Sequence, residues 1–100
     1  MPKAYIIARV TVNDPDSYAE YAKGAFQAMR KYGARILARG GKAEALEGEA
    51  RARNVILEFE SYEQAKVYFN SPEYQAAKKH RAGGAVGEFV VVEAFEGEQP

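Results

Sequence analysis

Between Tyr5 and Val12 the side chains divide into two sets at every second residue. Ile6, Ala8, Val10 and Val12 form one; Tyr5, Ile7, Arg9 and Thr11 form the other. A period of two marks a β-strand, so the wholly apolar set faces a core and the mixed set faces the other side of a sheet. A strand with one dry face needs a second layer packed over it. The rest of the chain has to supply that layer.

The residues that follow do so. Asn13–Asp14–Pro15–Asp16 stops the strand and opens a helix, with Asp14 as N-cap, Pro15 at the first helical position and Asp16 at the positive end of the dipole. Tyr18, Tyr21, Ala22, Ala25, Met29 and Tyr32 recur at helical spacing, and Gly33 suits the position just past the end. Arg35 to Arg39 reads as a second strand, interrupted by Gly40–Gly41 and continued over Lys42 to Leu46 beyond a bend or bulge. Glu47–Gly48–Glu49 is a turn, and Arg53 to Phe59 is a third strand. Ser61-Tyr62-Glu63-Gln64 has the form of a capping box in which the serine caps and the glutamine reaches back. That helix runs through Ala65, Tyr68 and Phe69, and Ser71–Pro72–Glu73 opens a short helix to about His80. Glu88 to Phe95 is the last strand. The order predicts an α+β, ferredoxin-like βαββαβ fold: a four-stranded antiparallel sheet with the main helices on one face. Residues 1–96 form a single domain on this reading, and 97–100 form a flexible C-terminal tail.

Read face by face, the strands predict a partner. Val55, Leu57 and Phe59 point to the helices; Asn54, Ile56 and Glu58 point away. In the last strand Val90, Val92 and Ala94 are assigned to one face, and Phe89, Val91 and Glu93 to the outer one. Tyr5, Ile7, Ile56, Phe89 and Val91 would then leave an apolar patch in water, and stacking two sheets about a two-fold axis buries it. Arg9, Glu58 and Glu93 fall on the same face, joined by Arg39 if the register of the second strand holds. Charges in such an interface must be paired, hydrated or bound to a ligand.

Composition narrows the function. Fourteen basic and 14 acidic side chains give no net charge, which argues against nucleic acid and anionic membranes as partners. There is no cysteine, hence no disulfide, thiolate metal site or cysteine nucleophile. The N-terminus lacks a signal-peptide pattern, and no apolar run approaches the ~20 residues that span a bilayer, so the cytoplasm is the expected location. Neither a metal nor a cofactor is expected.

Three groups of residues are candidates for a site. His80, the single histidine, suits a general base near neutrality or an axial haem ligand, against the plainer reading of an exposed residue at a helix end. Arg9 and Arg39 suit a carboxylate or phenolate ligand, against the plainer reading of ion pairs with Glu58 and Glu93 that fix the dimer's register. Tyr74 lies in the Ser71–Pro72–Glu73–Tyr74 segment, where it closes one end of the sheet. Arg39–Gly40–Gly41–Lys42 lacks the spacing of a phosphate loop and opens no helix.

Several segments taken together resemble a known family. They are Tyr5–Val10 with Asp14–Tyr18, Tyr32–Gly41, Leu46–Glu49 with Arg53, Phe59–Ala65, and Ser71–Gln75. The combination resembles the domain of unknown function 1330 family, within the dimeric α+β barrel superfamily, across roughly Tyr5 to Phe95. The resemblance implies a ferredoxin-like protomer whose sheet stacks on that of a second copy. For activity it implies only a range that includes cofactor-independent monooxygenases, isomerases, haem enzymes and ligand-sensing domains. The chain has no tryptophan, so the Asn, Trp and His set of the haem-degrading relatives cannot be carried over. Two readings follow. One is a homodimer that binds, and as an enzyme would transform, an aromatic or carboxylated metabolite, using Arg9, Arg39 and His80. The other is a non-catalytic dimeric interaction or accessory module.

Overall fold

The computed structural model describes residues 2–100. The elements are β1 (Ala4–Val12), α1 (Pro15–Tyr32), β2 (Arg35–Arg39), β3 (Arg53–Phe59), α2 (Tyr62–Phe69), α3 (Pro72–His80) and β4 (Ala85–Glu93). The strands form one antiparallel sheet in the order β2-β3-β1-β4, which is the ferredoxin-like arrangement with α3 as an added short helix. Among the described residues no helix is long and apolar enough to cross a membrane.

Local chemistry explains most boundaries. The Asp14 carboxylate accepts from the N–H groups of Asp16 and Ser17, and Gly33 ends α1 in the left-handed region at φ 78°. Ser71 Oγ accepts from Tyr74 N at 3.1 Å and starts α3. Ser61 Oγ accepts from Gln64 N at 3.0 Å as the box requires. The reciprocal arm is different. Gln64 Nε2 donates to the carbonyl of Tyr32 at 2.9 Å, so this side chain fastens the end of α1 to the start of α2. An unpaired carbonyl at a helix C-terminus competes successfully for a nearby amide donor.

The core lies between the sheet and the helices. Ile6, Ala8 and Val10 of β1 and Val55, Leu57 and Phe59 of β3 are buried there, as the alternation predicts. The fourth strand corrects the sequence reading. Ile6 lies opposite Val91 and Ala8 opposite Phe89, so Phe89 and Val91 share the inner face with the core. Val90 and Val92 lie opposite Ile7 and Tyr5 on the outer face and are exposed. Four consecutive apolar residues, Phe89 to Val92, carry no alternation, and the phase of such a run is set by its neighbour's pairing.

The second strand brings two further corrections. No strand continues over Lys42 to Leu46; residues 40–52 form one long irregular loop. The ladder breaks earlier, at Leu37. Ile36 lies opposite Leu57 and Ala38 opposite Ile56, with Leu37 bulged between them. That extra residue turns Arg39 to the helix side, opposite Val55, instead of the outer face.

Candidate functional site

The outer face of the sheet carries an apolar patch and a charged cluster at opposite ends. Tyr5, Ile7, Ile56, Val90 and Val92 make the patch, with Val90 54% exposed. Beyond it, Arg9 lies opposite Glu88 on β4 and Asn54 on β3. The returning end of loop 40–52 folds over this end. Arg51 grips Glu88 with Nε and Nη2, at 2.8 and 2.7 Å, and donates to Thr11 Oγ1 from Nη1 at 2.8 Å. Arg9 Nη2 donates to the carbonyl of Glu49 at 3.2 Å, and its Nη1 stands 3.7 Å from Glu88. The hydrogen bonds from Arg51 hold the Glu88 carboxyl below its usual range. Arg9, Thr11, Glu49, Arg51 and Glu88 border an open polar cleft of ≈ 520 Å³.

The residues singled out in the sequence therefore separate. Arg9 belongs to this cluster, but its carboxylate neighbour is Glu88, not Glu58 or Glu93. Glu58 is at the far end of the outer face, opposite Tyr5 and Arg35, with Lys3 Nζ at 3.6 Å. Glu93 lies opposite Ala4 and so follows the inner face. Arg39 is on the helix side. His80 ends α3, is exposed, and is not among the residues lining the clefts described here. Tyr74 is 1% exposed, in the core.

On the inner face the tyrosines converge. Tyr21 and Tyr74 hydroxyls are 2.8 Å apart, and Arg81 Nη2 donates to Tyr74 Oη at 3.3 Å. The Arg81 guanidinium is stacked between the Tyr21 and Phe89 rings, 4.9 and 4.6 Å from their centroids. Burial, foremost, pushes the hydroxyls of Tyr21 and Tyr68 well above the usual phenol range. These groups stay protonated near neutrality and act as hydrogen-bonding surfaces, not as phenolates.

Between this cluster and the sheet is a slot with Tyr18, Tyr21, Met29, Phe69 and Tyr74 in its walls and Arg39 and Arg53 at its edge. Its volume is ≈ 30 Å³, enough for about one water. Two wider clefts share wall residues with it. One, ≈ 240 Å³, opens between α2 and β4, shares Ile6, Phe69 and Phe89 with the slot, and has Lys66 and Asn70 at its rim. The other, ≈ 390 Å³, opens along α1, shares Ala22 and Arg39 with the slot, and is bordered by Lys23 and Phe26. Among the described residues no cluster of His, Cys, Asp and Glu could hold a metal ion.

Sequence reasoning missed Arg51, Glu88 and Arg53 as site residues. Arg51 sits in a loop with no periodicity to place it. Glu88 precedes an apolar run without alternation, so only the pairing with β1 gives its face.

The model of a domain of unknown function, DUF1330, matches residues 3–95. Comparison with curated proteins gives no match. Among solved structures, RPA0582 from Rhodopseudomonas palustris, a protein of unknown function, is 20% identical with a TM-score of 0.75, over 96% of this chain and 85% of that one. A dimeric protein of unknown function and ferredoxin-like fold from Bacteroides fragilis is 19% identical with a TM-score of 0.57, over 92% of this chain and 96% of that one. A mutant of SnoaB, a cofactor-independent oxygenase from Streptomyces nogalater, is 12% identical with a TM-score of 0.67, over 100% and 99% of the two chains. At these identities the likeness establishes the fold.

Proposed function

The chain belongs to the DUF1330 family, and we propose on that footing that it works as a homodimer, sheet against sheet, in which each protomer binds a small aromatic or carboxylated metabolite between its sheet and helices. The observation that carries the binding role is the aromatic slot, flanked by a wider cleft between α2 and β4 and another along α1 that share wall residues with it. The ligand's body occupies a cleft and one edge of it enters the slot. The dimer is supported by the outer face, where Tyr5, Ile7, Ile56, Val90 and Val92 gather in one patch. Burying an aliphatic side chain of this size contributes about 1.5–3 kcal/mol, so a stacked partner covers a surface that water disfavours.

The dimeric structure from Bacteroides fragilis and the oxygenase SnoaB share this fold. The first supports the dimer, and the second supports a catalytic extension of the reading, a cofactor-independent monooxygenase acting on the bound metabolite, with an isomerase as the alternative catalytic form. Tyr21 and Tyr68, held protonated by burial, would orient such a ligand and donate to its oxygens.

One observation favours the accessory-module reading. Arg9 stands beside the Glu88 carboxylate and His80 is exposed, so neither converges on the slot. Native mass spectrometry of the protein from its own host separates the two. A dimer carrying a defined small-molecule mass supports the binding reading, and a ligand-free dimer favours the accessory module. A monomer refutes the sheet-to-sheet dimer on which both depend.

A further inference from the structure

Arg39 and Arg53 stand at the two ends of loop 40–52 and on the same, inner face of the sheet. Arg39 lies opposite Val55, and Arg53 precedes Val55 by two residues and lies opposite the buried Val10. Residues so related are diagonal neighbours, roughly 7–8 Å apart, with their Cβ atoms somewhat closer. Like charges on neighbouring positions of one sheet face disfavour each other unless something negative lies between or beside them. Among the described residues neither has a carboxylate within salt-bridge range, although 14 acidic side chains are available in the chain.

Both guanidiniums are nevertheless placed. Arg53 donates from Nε to Tyr18 Oη at 3.1 Å, which leaves its two Nη groups without a protein acceptor among the described residues. Arg39 lies over the Phe26 ring, 5.6 Å from its centroid. Gly40 has φ 66°, and a Cβ there would meet Arg53 Nη1 at 2.8 Å. Glycine adopts that turn without strain, and a larger residue there would also push the Arg53 guanidinium aside. Arg39 borders the slot and the α1 cleft alike, with Ala22 as the second shared residue, and Lys23 adds another cation at the mouth. Cations, an aromatic wall and open access thus coincide at one place.

We propose that Arg39 and Arg53 form an anion-binding site that takes a small aromatic acid, its carboxylate or phenolate oxygen held between the two guanidiniums and its ring against Phe26 and Tyr18. The forked N–H groups of arginine match a carboxylate in a way a lysine cannot, and stacking of the ring adds to the charge term. This rests on the reading of the slot as a ligand site and names the chemical class that it selects.

The test is a titration of the intact protein with benzoate, with benzamide as its neutral counterpart and inorganic phosphate as an anion without a ring. The arginine Nε–Hε and tyrosine ring signals are followed by NMR. Benzoate is expected to move the Arg39 and Arg53 signals and to bind at least about tenfold more tightly than benzamide. Arg53→Gln and Arg39→Gln are each expected to bring benzoate down to the benzamide level. Arg39 is exposed on an edge strand, so its variant keeps the test sound if Arg53→Gln fails to fold. Equal binding of benzoate and benzamide, unaltered in both variants, overturns the anion site while leaving the slot as a ligand site. Phosphate binding without benzoate binding overturns the aromatic class. Silence of both arginines toward all three probes at millimolar concentration overturns the inference.

Discussion

Arg51 holds Glu88 through two parallel hydrogen bonds, Nε to Oε1 at 2.8 Å and Nη2 to Oε2 at 2.7 Å, and so ties loop 40–52 to the outer face of the sheet. Arg39 and Arg53 flank the loop, both on the inner face. One exposed ion pair therefore fastens a segment whose two ends carry cations to the opposite side of the sheet.

Removing the grip should free the loop without unfolding the protein. Glu88→Ala is expected to raise amide hydrogen exchange across residues 41–50 while the global melting temperature barely changes, because an exposed ion pair adds little to overall stability. The charge-exchanged pair Arg51→Glu with Glu88→Arg should recover part of the protection. Unchanged exchange in Glu88→Ala would show that other contacts hold the loop.

The hydroxyl pair of Tyr21 and Tyr74 makes a different demand. Tyr74→Phe leaves the Tyr21 hydroxyl and an Arg81 N–H without their partner in the core. A cost of about 1–3 kcal/mol is expected in urea unfolding. Tyr21→Phe combined with Tyr74→Phe should cost less than the sum of the two single changes, because the second removes a group already orphaned. Strict additivity would mean that the two hydroxyls do not interact.

Ile7 lies at the centre of the outer face, opposite Ile56 on one side and Val90 on the other. Ile7→Glu places a charge in the middle of the proposed interface and leaves the helix-side core untouched. Light scattering should report a monomer, and circular dichroism should keep its native form at low temperature. A variant that stays dimeric locates the interface elsewhere.

The contact between α1 and α3 is acid-sensitive. The Glu73 carboxyl, ordinarily near 4.5, is held down to about 2, first by the hydrogen bond from Lys31 Nζ and then by that from Tyr32 Oη. A carboxyl depressed in the folded state stabilises fully above its unfolded value and loses that contribution as the pH falls through its folded one. The urea midpoint should therefore drop between about pH 4.5 and about pH 2. Glu73→Gln should be weaker at neutral pH and show a shallower drop across that window. Parallel curves for the two proteins would rule out this pair as a source of acid sensitivity.

Much of the fold is legible because it is written in short-range terms. Asp14, Ser61 and Ser71 announce helix starts by their own side-chain oxygens, and Gly33 marks an end by its backbone freedom. The alternation of Ile6, Ala8 and Val10 with Ile7 and Arg9 needs only the geometry of one strand. Gln64 shows where this stops: the serine that caps is local, but the acceptor its amide finds belongs to Tyr32, 32 residues away in sequence.

The candidate site was legible in kind and not in membership. Arginines near aromatic residues could be picked out, but the face each occupies could not. A single bulged residue, Leu37, moves Arg39 from the outer side of the sheet to the inner one. The continuous apolar run Phe89 to Val92 gives no phase, so the true neighbour of Arg9 could not be told from Glu93. The sequence by itself determined the order of elements, the helix boundaries and the core of the two central strands, since these depend on interactions within a few residues. Tertiary structure alone decided which charges meet. Strand register is set by pairing across the sheet, and because side chains alternate with a period of two, a shift of one residue reverses every face that follows.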